Sequence, residues 1–203
     1  MSLKRMYSAV RINEIIQPKK IAILAWGSLP RRPDKKFDKW HHGWIHDGPK
    51  LKLEFSHIAK MDDNALTLVI DEKHGEVNKV EYCISKRTDL DKAIHDLQRR
   101  ERTIPKDIGV YPSKKFEKTN PDAYHAIETW AKKHKIDCVI WTDLPPNFKH
   151  KTGKIFNKEH VKEYIESLTE KEKKDAFKYA KNAPRFIKTK LRKMIEDWAN
   201  EKT

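Results

Sequence analysis

The stretch "IAILAWGSLPRRP", residues 21–33, decides how the rest of the chain is interpreted. Five apolar residues and a tryptophan run directly into Gly27 and Ser28, and prolines and arginines follow. A short apolar run that ends in turn residues predicts a buried strand over 21–26. Glycine at the end of a strand usually marks only a turn, so a function for this turn must be argued from other parts of the chain.

The remaining patterns divide the chain into a strand-rich first half and a helical end. Further strands are predicted over 51–56, 66–71, 79–85 and 138–142. Helices are predicted over 89–101, 121–134, 158–168 and 170–182, with a last one from Pro184. Their expected N-caps are Thr88, Asn120, Asn157 and Thr169. This order indicates the α+β class.

The domain organisation follows from the same division. We expect a lead-in over 1–20, with a short helix or irregular segment over 4–17. One domain then covers 21–148, and a basic helical extension over 149–203 packs on that domain. A chain of 203 residues can bury a real core without disulfides.

The charge composition restricts the classes of partner. The formal net charge is +14, and lysines are densest in the last third. Such a charge would attract phosphates or acidic surfaces, although a lysine-rich surface has the same composition without any such partner. No apolar run approaches the roughly 18 residues that a membrane span requires. The first residues lack the apolar core of a secretory signal, so we expect a cytoplasmic protein with no membrane contact.

The sequence context of the two cysteines and of Ser28 indicates structural roles rather than nucleophilic ones. Cys83 and Cys138 lie inside apolar runs, which is typical of small buried thiols rather than of a disulfide. Ser28 is not in a G-x-S-x-G pattern, so its hydroxyl is expected to cap a turn or contact a ligand. Nucleotide-binding and H-E-x-x-H motifs are absent, and we expect no cofactor and no metal.

One carboxylate lies on the apolar face of a predicted helix. In "TDLDKAIHDLQRRERT", residues 88–103, Glu101 follows Leu97 by four positions and falls close to the apolar stripe. Burial and the negative end of the helix dipole would both raise its pKa toward neutrality, as a proton-transferring carboxyl requires. The alternatives are that the helix frays before Glu101, or that Arg100 or Arg102 pairs with it.

The turn and this carboxylate together resemble the gamma-glutamylcyclotransferase-like proteins. Their turn reads Tyr-Gly-Ser-Asn or similar, which Trp26-Gly27-Ser28-Leu29 matches, and their catalytic glutamate lies in Leu-x-x-x-Glu-Gly, as at 97–101. More closely, the chain resembles a bacterial branch of that superfamily. The shared motifs are "WGSL", "DGP" (47–49), "EFS" (54–56), "LTLV" (66–69), the Arg100-Glu101 pair and "WT-x-L" (141–144), with "APRFIKTKLR" (183–192) as a weaker match.

The resemblance implies a fold and a reaction. The fold would be a small mixed β-barrel flanked by helices, with the turn beside Glu101 at its mouth. The reaction is the cyclisation of a γ-glutamyl amine or peptide to 5-oxoproline, with release of the amine. Glu101 would be the general acid/base. The substrate would be bound by Trp26, Gly27, Ser28, Leu29 and Arg102.

Two positions depart from the family pattern. Trp26 replaces the usual tyrosine and removes a hydroxyl, and Arg102 stands where glycine normally follows the glutamate. Arg102 would either pair with Glu101 and hold it ionised, or bind an acidic group of the substrate.

Three other patterns are interpreted structurally. His41, His42 and His46 with Asp47 suit a transition metal by type, but their spacing favours a loop that packs over the site. Glu54 shares one face of an alternating strand with Lys52, which predicts a surface pair, with a barrel interior or a pocket wall as the alternative. The aromatic residues of the extension are expected to pack in its core. They are Phe156, Tyr164, Phe177, Tyr179 and Phe186.

A second function class stays open. On the same fold, a non-catalytic module could bind a small molecule or an acidic partner through the long loop and the basic face. Nucleic acid is one such partner, through phosphate contacts and stacking on exposed aromatic residues.

Overall fold

The computed structural model describes residues 19–59 and 64–201. The predicted lead-in over 4–17 therefore lies outside the described residues, as do three residues of the segment "MDDN" (61–64), whose composition is typical of a turn. The fourth, Asn64, has a φ of 60°, as turn chemistry predicts.

The described strands form two sheets. Their bounds are β1 Ile21–Ala25, β2 Lys50–Ala59, β3 Ala65–Ile70, β4 Glu76–Lys79, β5 Glu81–Ile84, β6 Ile108–Tyr111 and β7 Cys138–Thr142. The first sheet has the order β5-β1-β7-β6, with β1 and β7 parallel and the other pairs antiparallel. The second has the order β3-β2-β4 and is antiparallel throughout.

The helices confirm the α+β class. Their bounds are α1 Lys35–Asp38, α2 Leu90–Glu101, α3 Lys114–Thr119, α4 Pro121–Lys133, α5 Phe148–Thr152, α6 Lys158–Ser167, α7 Glu170–Asn182 and α8 Lys190–Glu201. The pairing of the described strands closes no barrel, because no hydrogen-bonded ladder joins the two sheets. The expected barrel is therefore not confirmed, and what is established is a mixed α+β fold with two sheets.

Strand β1 is apolar at every position because both of its faces are covered. Ala22 and Leu24 face the larger core, which the two sheets and the later helices share. Ile21, Ile23 and Ala25 face a smaller core beneath α2. The side chains of a strand alternate between faces, so a strand covered on both sides is continuously apolar. This explains why the stretch over residues 21–26 is apolar without interruption.

Most predicted elements agree with the structure to within a residue or two, and several short ones were missed. Strands β4 and β6 and helices α1, α3 and α5 were not predicted. The N-cap of α2 is Asp89, whose side chain accepts from the N–H of Lys92, and not Thr88. The capping box of Thr169 and Glu172 is confirmed. Asn157 caps α6 as predicted.

The last helix starts at Lys190, so the prediction that it opens at Pro184 is wrong. The buried guanidinium of Arg192 donates to the carbonyls of Ala183 and Ile187, at 3.0 and 2.8 Å. These bonds hold the preceding segment in a non-helical turn. The Thr189 hydroxyl then accepts from the N–H of Arg192 and starts the helix.

Glu54 is buried, with 1% of its surface exposed, and the predicted surface pair is wrong. Its carboxylate accepts from the N–H of Phe55 at 2.8 Å and from Thr189, Lys190 and Leu191 at the start of α8. Burial raises the pKa of Glu54 above its usual value, although these hydrogen bonds oppose the rise. The carboxylate thus fixes the extension to β2, while Lys52 pairs with Asp122.

Two further expectations concern the thiols and the membrane. Cys83 and Cys138 are buried and free, as predicted, and burial raises the pKa of both thiols. A raised pKa disfavours the nucleophilic thiolate. Within 19–59 and 64–201, no helix has the length and apolar character needed to cross a membrane.

Candidate functional site

A cavity of about 650 Å³ lies where the first sheet, α2 and the extension meet. Its wall includes all four turn residues, Trp26 to Leu29, and also Glu101 and Arg102. The residues that the resemblance assigns to one site therefore share one cavity. The opposite wall includes residues of β2 and β3, and one side chain from α7.

The turn at the end of β1 presents backbone donors. Residues Leu29–Arg31 form a 3-10 turn with no side-chain cap at Ser28. The hydrogen bonds among described residues leave the N–H groups of Gly27, Ser28 and Leu29 without an acceptor. Successive unpaired N–H groups form a concave site for an anion. The turn can therefore bind a carboxylate, as the resemblance implies.

Trp26 supports the turn from within the core. Its side chain is 6% exposed, and the indole N–H donates to the carbonyl of Leu68 at 3.0 Å. The ring therefore links the end of β1 to β3 in the other sheet. Trp26 lines the cavity as a wall and supplies no hydroxyl to it.

Helix α2 brings Glu101 to the cavity. Its buried residues Ala93 and Leu97 pack beneath β1 and β7, so the residue one turn after Leu97 reaches the end of β1. The Glu101 side chain is 25% exposed, which is neither bulk solvent nor full burial. The helix extends through Glu101, so fraying before it is excluded.

Arg100, rather than Arg102, is the cation placed beside Glu101. Its Nη1 lies 3.4 Å from Oε1 of Glu101, and its side chain is 10% exposed. Its Nη2 donates to the carbonyl of Arg32 at 2.5 Å and lies 3.5 Å from that of Leu29. This one guanidinium ties the end of α2 to the turn. The sequence analysis left Arg100 and Arg102 as alternatives for this pairing and considered it further for Arg102.

Arg102 ends the helix in the left-handed conformation, with φ 51° and ψ 41°. Its N–H donates to the carbonyl of Arg99, and the next N–H donates to Gln98. Glycine adopts this conformation without the steric cost of a Cβ, which explains a glycine after the glutamate in the family pattern. The exposed Arg102 side chain lines the cavity.

Tyr179 of α7 is a cavity residue that the sequence did not predict. The sequence analysis assigned Tyr179 to core packing, and its ring does pack edge-on against Phe55, with the ring centroids 6.3 Å apart. Its hydroxyl also stands next to the turn, since a Cβ built on Gly27 would lie 3.1 Å from that oxygen. No local pattern indicates a contact across 152 positions of sequence, so only the tertiary structure identifies it.

His57 lines the far wall as a neutral imidazole. Its Nδ1 donates to the carbonyl of Pro145 at 2.7 Å, and Nε2 lies 3.4 Å from the amide nitrogen of Asn147. Burial is the main cause that lowers the pKa of His57. A polar but uncharged group thus closes this side of the cavity.

The histidine loop packs against aromatic side chains, and its histidines do not line the cavity. His41 is buried between Phe37 and Trp44 and hydrogen-bonds to Asp38 and the His42 carbonyl. His46 stacks on Phe186 with a ring separation of 3.7 Å. Across the described part of the chain, no group of three His, Cys, Asp or Glu side chains is arranged to hold a metal ion.

Comparisons of the chain with family models, with curated proteins and with solved structures found no match. The gamma-glutamylcyclotransferase-like assignment therefore stays a prediction.

Proposed function

We propose that this protein is a gamma-glutamylcyclotransferase-like enzyme that converts a γ-glutamyl amine or peptide into 5-oxoproline and the free amine. The supporting observation is that Glu101 and the turn over 26–29 line one cavity. The proposal includes the family's small mixed β-barrel, for which the two sheets around the larger core would supply the strands.

The turn would hold the substrate's α-carboxylate. The N–H groups of Gly27, Ser28 and Leu29 supply donors, and the absence of a side chain at Gly27 permits close approach. Held in this way, the α-nitrogen is directed at the carbonyl carbon of its own side chain. Because both reacting groups belong to one molecule, orientation supplies much of the rate enhancement.

Glu101 would carry the proton transfers. The carboxylate accepts a proton from the α-ammonium group, which frees the nitrogen to attack. The new C–N bond closes the five-membered ring, and the bond from the same carbon to the departing amine breaks. Glu101 returns this proton to that amine and ends ionised, as it began, and the released amine takes up the second proton that the ring nitrogen loses as it becomes an amide. The ion pair with Arg100 stabilises this starting state.

The proposal is tested by incubating the protein with a panel of γ-glutamyl dipeptides and measuring 5-oxoproline and released amine. We expect release by the wild type and a loss of at least about a hundredfold in Glu101→Gln. Glu117→Gln, an exposed residue on α3 outside the cavity, is the matched control. Unchanged release by Glu101→Gln would remove this residue from the mechanism. No release by the wild type would favour the non-catalytic binding module.

A further inference from the structure

The helical extension contributes one side chain, Tyr179 of α7, to the wall of the cavity. Among the described residues of the extension, Tyr179 alone lines the cavity. A Cβ built on Gly27 would lie 3.1 Å from the Tyr179 hydroxyl oxygen. Because a carbon–carbon bond is about 1.5 Å long, this oxygen lies within about 4.6 Å of the Gly27 Cα. The phenol oxygen and the backbone donors of the turn therefore lie at the same part of the cavity wall.

Packing accounts for the ring of Tyr179 but does not require its hydroxyl group. The ring packs edge-on against Phe55, which is fully buried and does not line the cavity. A phenylalanine at position 179 would make the same contact. The oxygen distinguishes tyrosine from phenylalanine, and it lies beside Gly27. A function for this residue is therefore to be sought at the turn.

Helix α7 is anchored at both ends, so the hydroxyl group is in position before a ligand binds. At the start of α7, Glu172 accepts from the side-chain amide of Asn64, directly before β3, at 2.7 Å. At its end, the carbonyl of Ala183 accepts from the buried guanidinium of Arg192 at 3.0 Å. Ala180, the neighbour of Tyr179, is buried. A donor that is fixed in advance loses less entropy on binding than a mobile one.

The turn leaves room for a further donor to the anion that it would bind. An ionised carboxylate offers about four lone-pair sites. The N–H groups of Gly27, Ser28 and Leu29 supply at most three donors. Trp26 adds none, because its indole N–H donates to the carbonyl of Leu68. A hydroxyl group beside the turn can fill the fourth site.

We propose that the hydroxyl group of Tyr179 donates a hydrogen bond to the substrate α-carboxylate held by the turn, so that the extension completes the substrate site. The identity of the ligand rests on the proposed function, whereas the contact can be measured without turnover. A hydrogen bond to a charged group is among the stronger ones in proteins, and its loss weakens binding by about tenfold or more. Because the α-carboxylate keeps its charge throughout the reaction, this contact stabilises the bound substrate and the transition state equally.

The test compares γ-glutamyl-alanine with 4-aminobutyryl-alanine, which lacks only the α-carboxylate. Affinities are measured by calorimetry in the Glu101→Gln protein, with and without Tyr179→Phe. We expect Tyr179→Phe to weaken the binding of γ-glutamyl-alanine roughly tenfold and to leave the weaker binding of the analogue unchanged. With Glu101 present, Tyr179→Phe should raise KM roughly tenfold with little change of kcat.

Tyr164→Phe is the matched control. The hydroxyl group of Tyr164, on α6, donates to the carbonyl of Asn64 at 2.7 Å, and Tyr164 does not line the cavity. Removing it should lower the midpoint of urea unfolding and leave both affinities unchanged. A merely structural effect of losing a hydroxyl group from the extension would appear in this variant as well.

The outcomes separate this inference from the proposed function. An affinity for γ-glutamyl-alanine that survives Tyr179→Phe overturns the inference, and so does an equal loss for both ligands or in Tyr164→Phe. Binding of neither ligand also overturns it. A loss confined to γ-glutamyl-alanine and to Tyr179→Phe supports the contact. The same loss in a protein whose wild type releases no 5-oxoproline keeps the contact and refutes the proposed reaction.

Discussion

Replacing Gly27 by alanine should separate the function of the turn from its stability. The new Cβ would meet one atom closely, the Tyr179 hydroxyl oxygen at 3.1 Å. Ordinary contacts of this kind begin at 3.4 Å, so the phenol must shift by a few tenths of an ångström. The φ of Gly27 lies outside the left-handed region, and alanine can adopt it.

Two opposing effects determine the change in the free energy of unfolding. Alanine reduces the entropy of the unfolded chain, which stabilises a protein by about 0.4–1 kcal/mol at a compatible site. Displacing the phenol costs a similar amount, about 1 kcal/mol, which is the low end of the range for inserting a methyl group into a packed site. We therefore expect Gly27→Ala to unfold in urea within about 1 kcal/mol of the wild type.

Activity should respond differently, because the methyl group occupies the wall where the substrate approaches the N–H groups. A displacement of about 1 Å can cost a hundredfold in rate, so we expect kcat/KM to fall at least tenfold. Adding Tyr179→Phe removes the oxygen that the methyl meets and should not recover activity. Gly109→Ala is the steric control. Its Cβ would lie 2.1 Å from the buried Trp141 ring, and about 3 kcal/mol should be lost.

The reasoning is refuted by either of two results. A Gly27→Ala protein that releases 5-oxoproline at the wild-type rate would show that the substrate does not approach this turn. A loss of stability as large as that of Gly109→Ala would show that the turn is packed tightly and that its glycine serves the fold.

Two further predictions concern stability. Because folding raises the pKa of Glu54, the folded protein holds this proton more tightly than the unfolded chain, and the free energy of unfolding should fall as pH rises above about 4.5. In urea titrations at several pH values, Glu54→Gln should lose this part of the pH dependence. An unchanged dependence of the free energy of unfolding on pH in Glu54→Gln would contradict the assignment. Arg102→Gly should raise the free energy of unfolding, measured by urea titration, by up to about 1 kcal/mol, since about 1–2 kcal/mol of left-handed strain outweighs the entropy of glycine. A lowered midpoint would mean that contacts of the Arg102 side chain outweigh the strain.

The sequence predicted the elements whose signals are local. Strands β1 and β7 are continuous apolar runs, and the capping box at Thr169 and Glu172 is a four-residue pattern. Strand β6 was missed because it has four residues and contains Gly109, which weakens a strand pattern. That glycine is required because Trp141, its partner on β7, lies against it.

Glu54 shows why an alternating pattern does not determine which face of a strand is exposed. The alternation of Leu51, Leu53 and Phe55 correctly places one face in the core. The other face was expected to meet solvent, but the start of α8 covers it and uses the carboxylate as a hydrogen-bond acceptor. The cover comes from a segment more than a hundred residues later, and no local rule contains that information.

The candidate site shows the same limit: local sequence patterns locate some of its residues and not others. The resemblance assigned the turn and Glu101 to one site, while the helix period and the strand end only fix their positions along the chain. The sequence could not show whether Arg100 or Arg102 pairs with Glu101. The position of Arg100 depends on the carbonyls of Leu29 and Arg32, which only the folded chain places within reach.

Tyr179 changes how the extension is understood. The segment 149–203 was expected to pack on the domain and to supply positive charge. Helix α7 packs on β3 and also brings a hydroxyl to the turn at Gly27, so the cavity is lined by both halves of the chain. Glu54 fixes the extension to β2 from the other side of the same sheet region, through the first turn of α8. The position of the Tyr179 hydroxyl therefore depends on contacts that hold the extension, and the site and the fold are stabilised by the same interface.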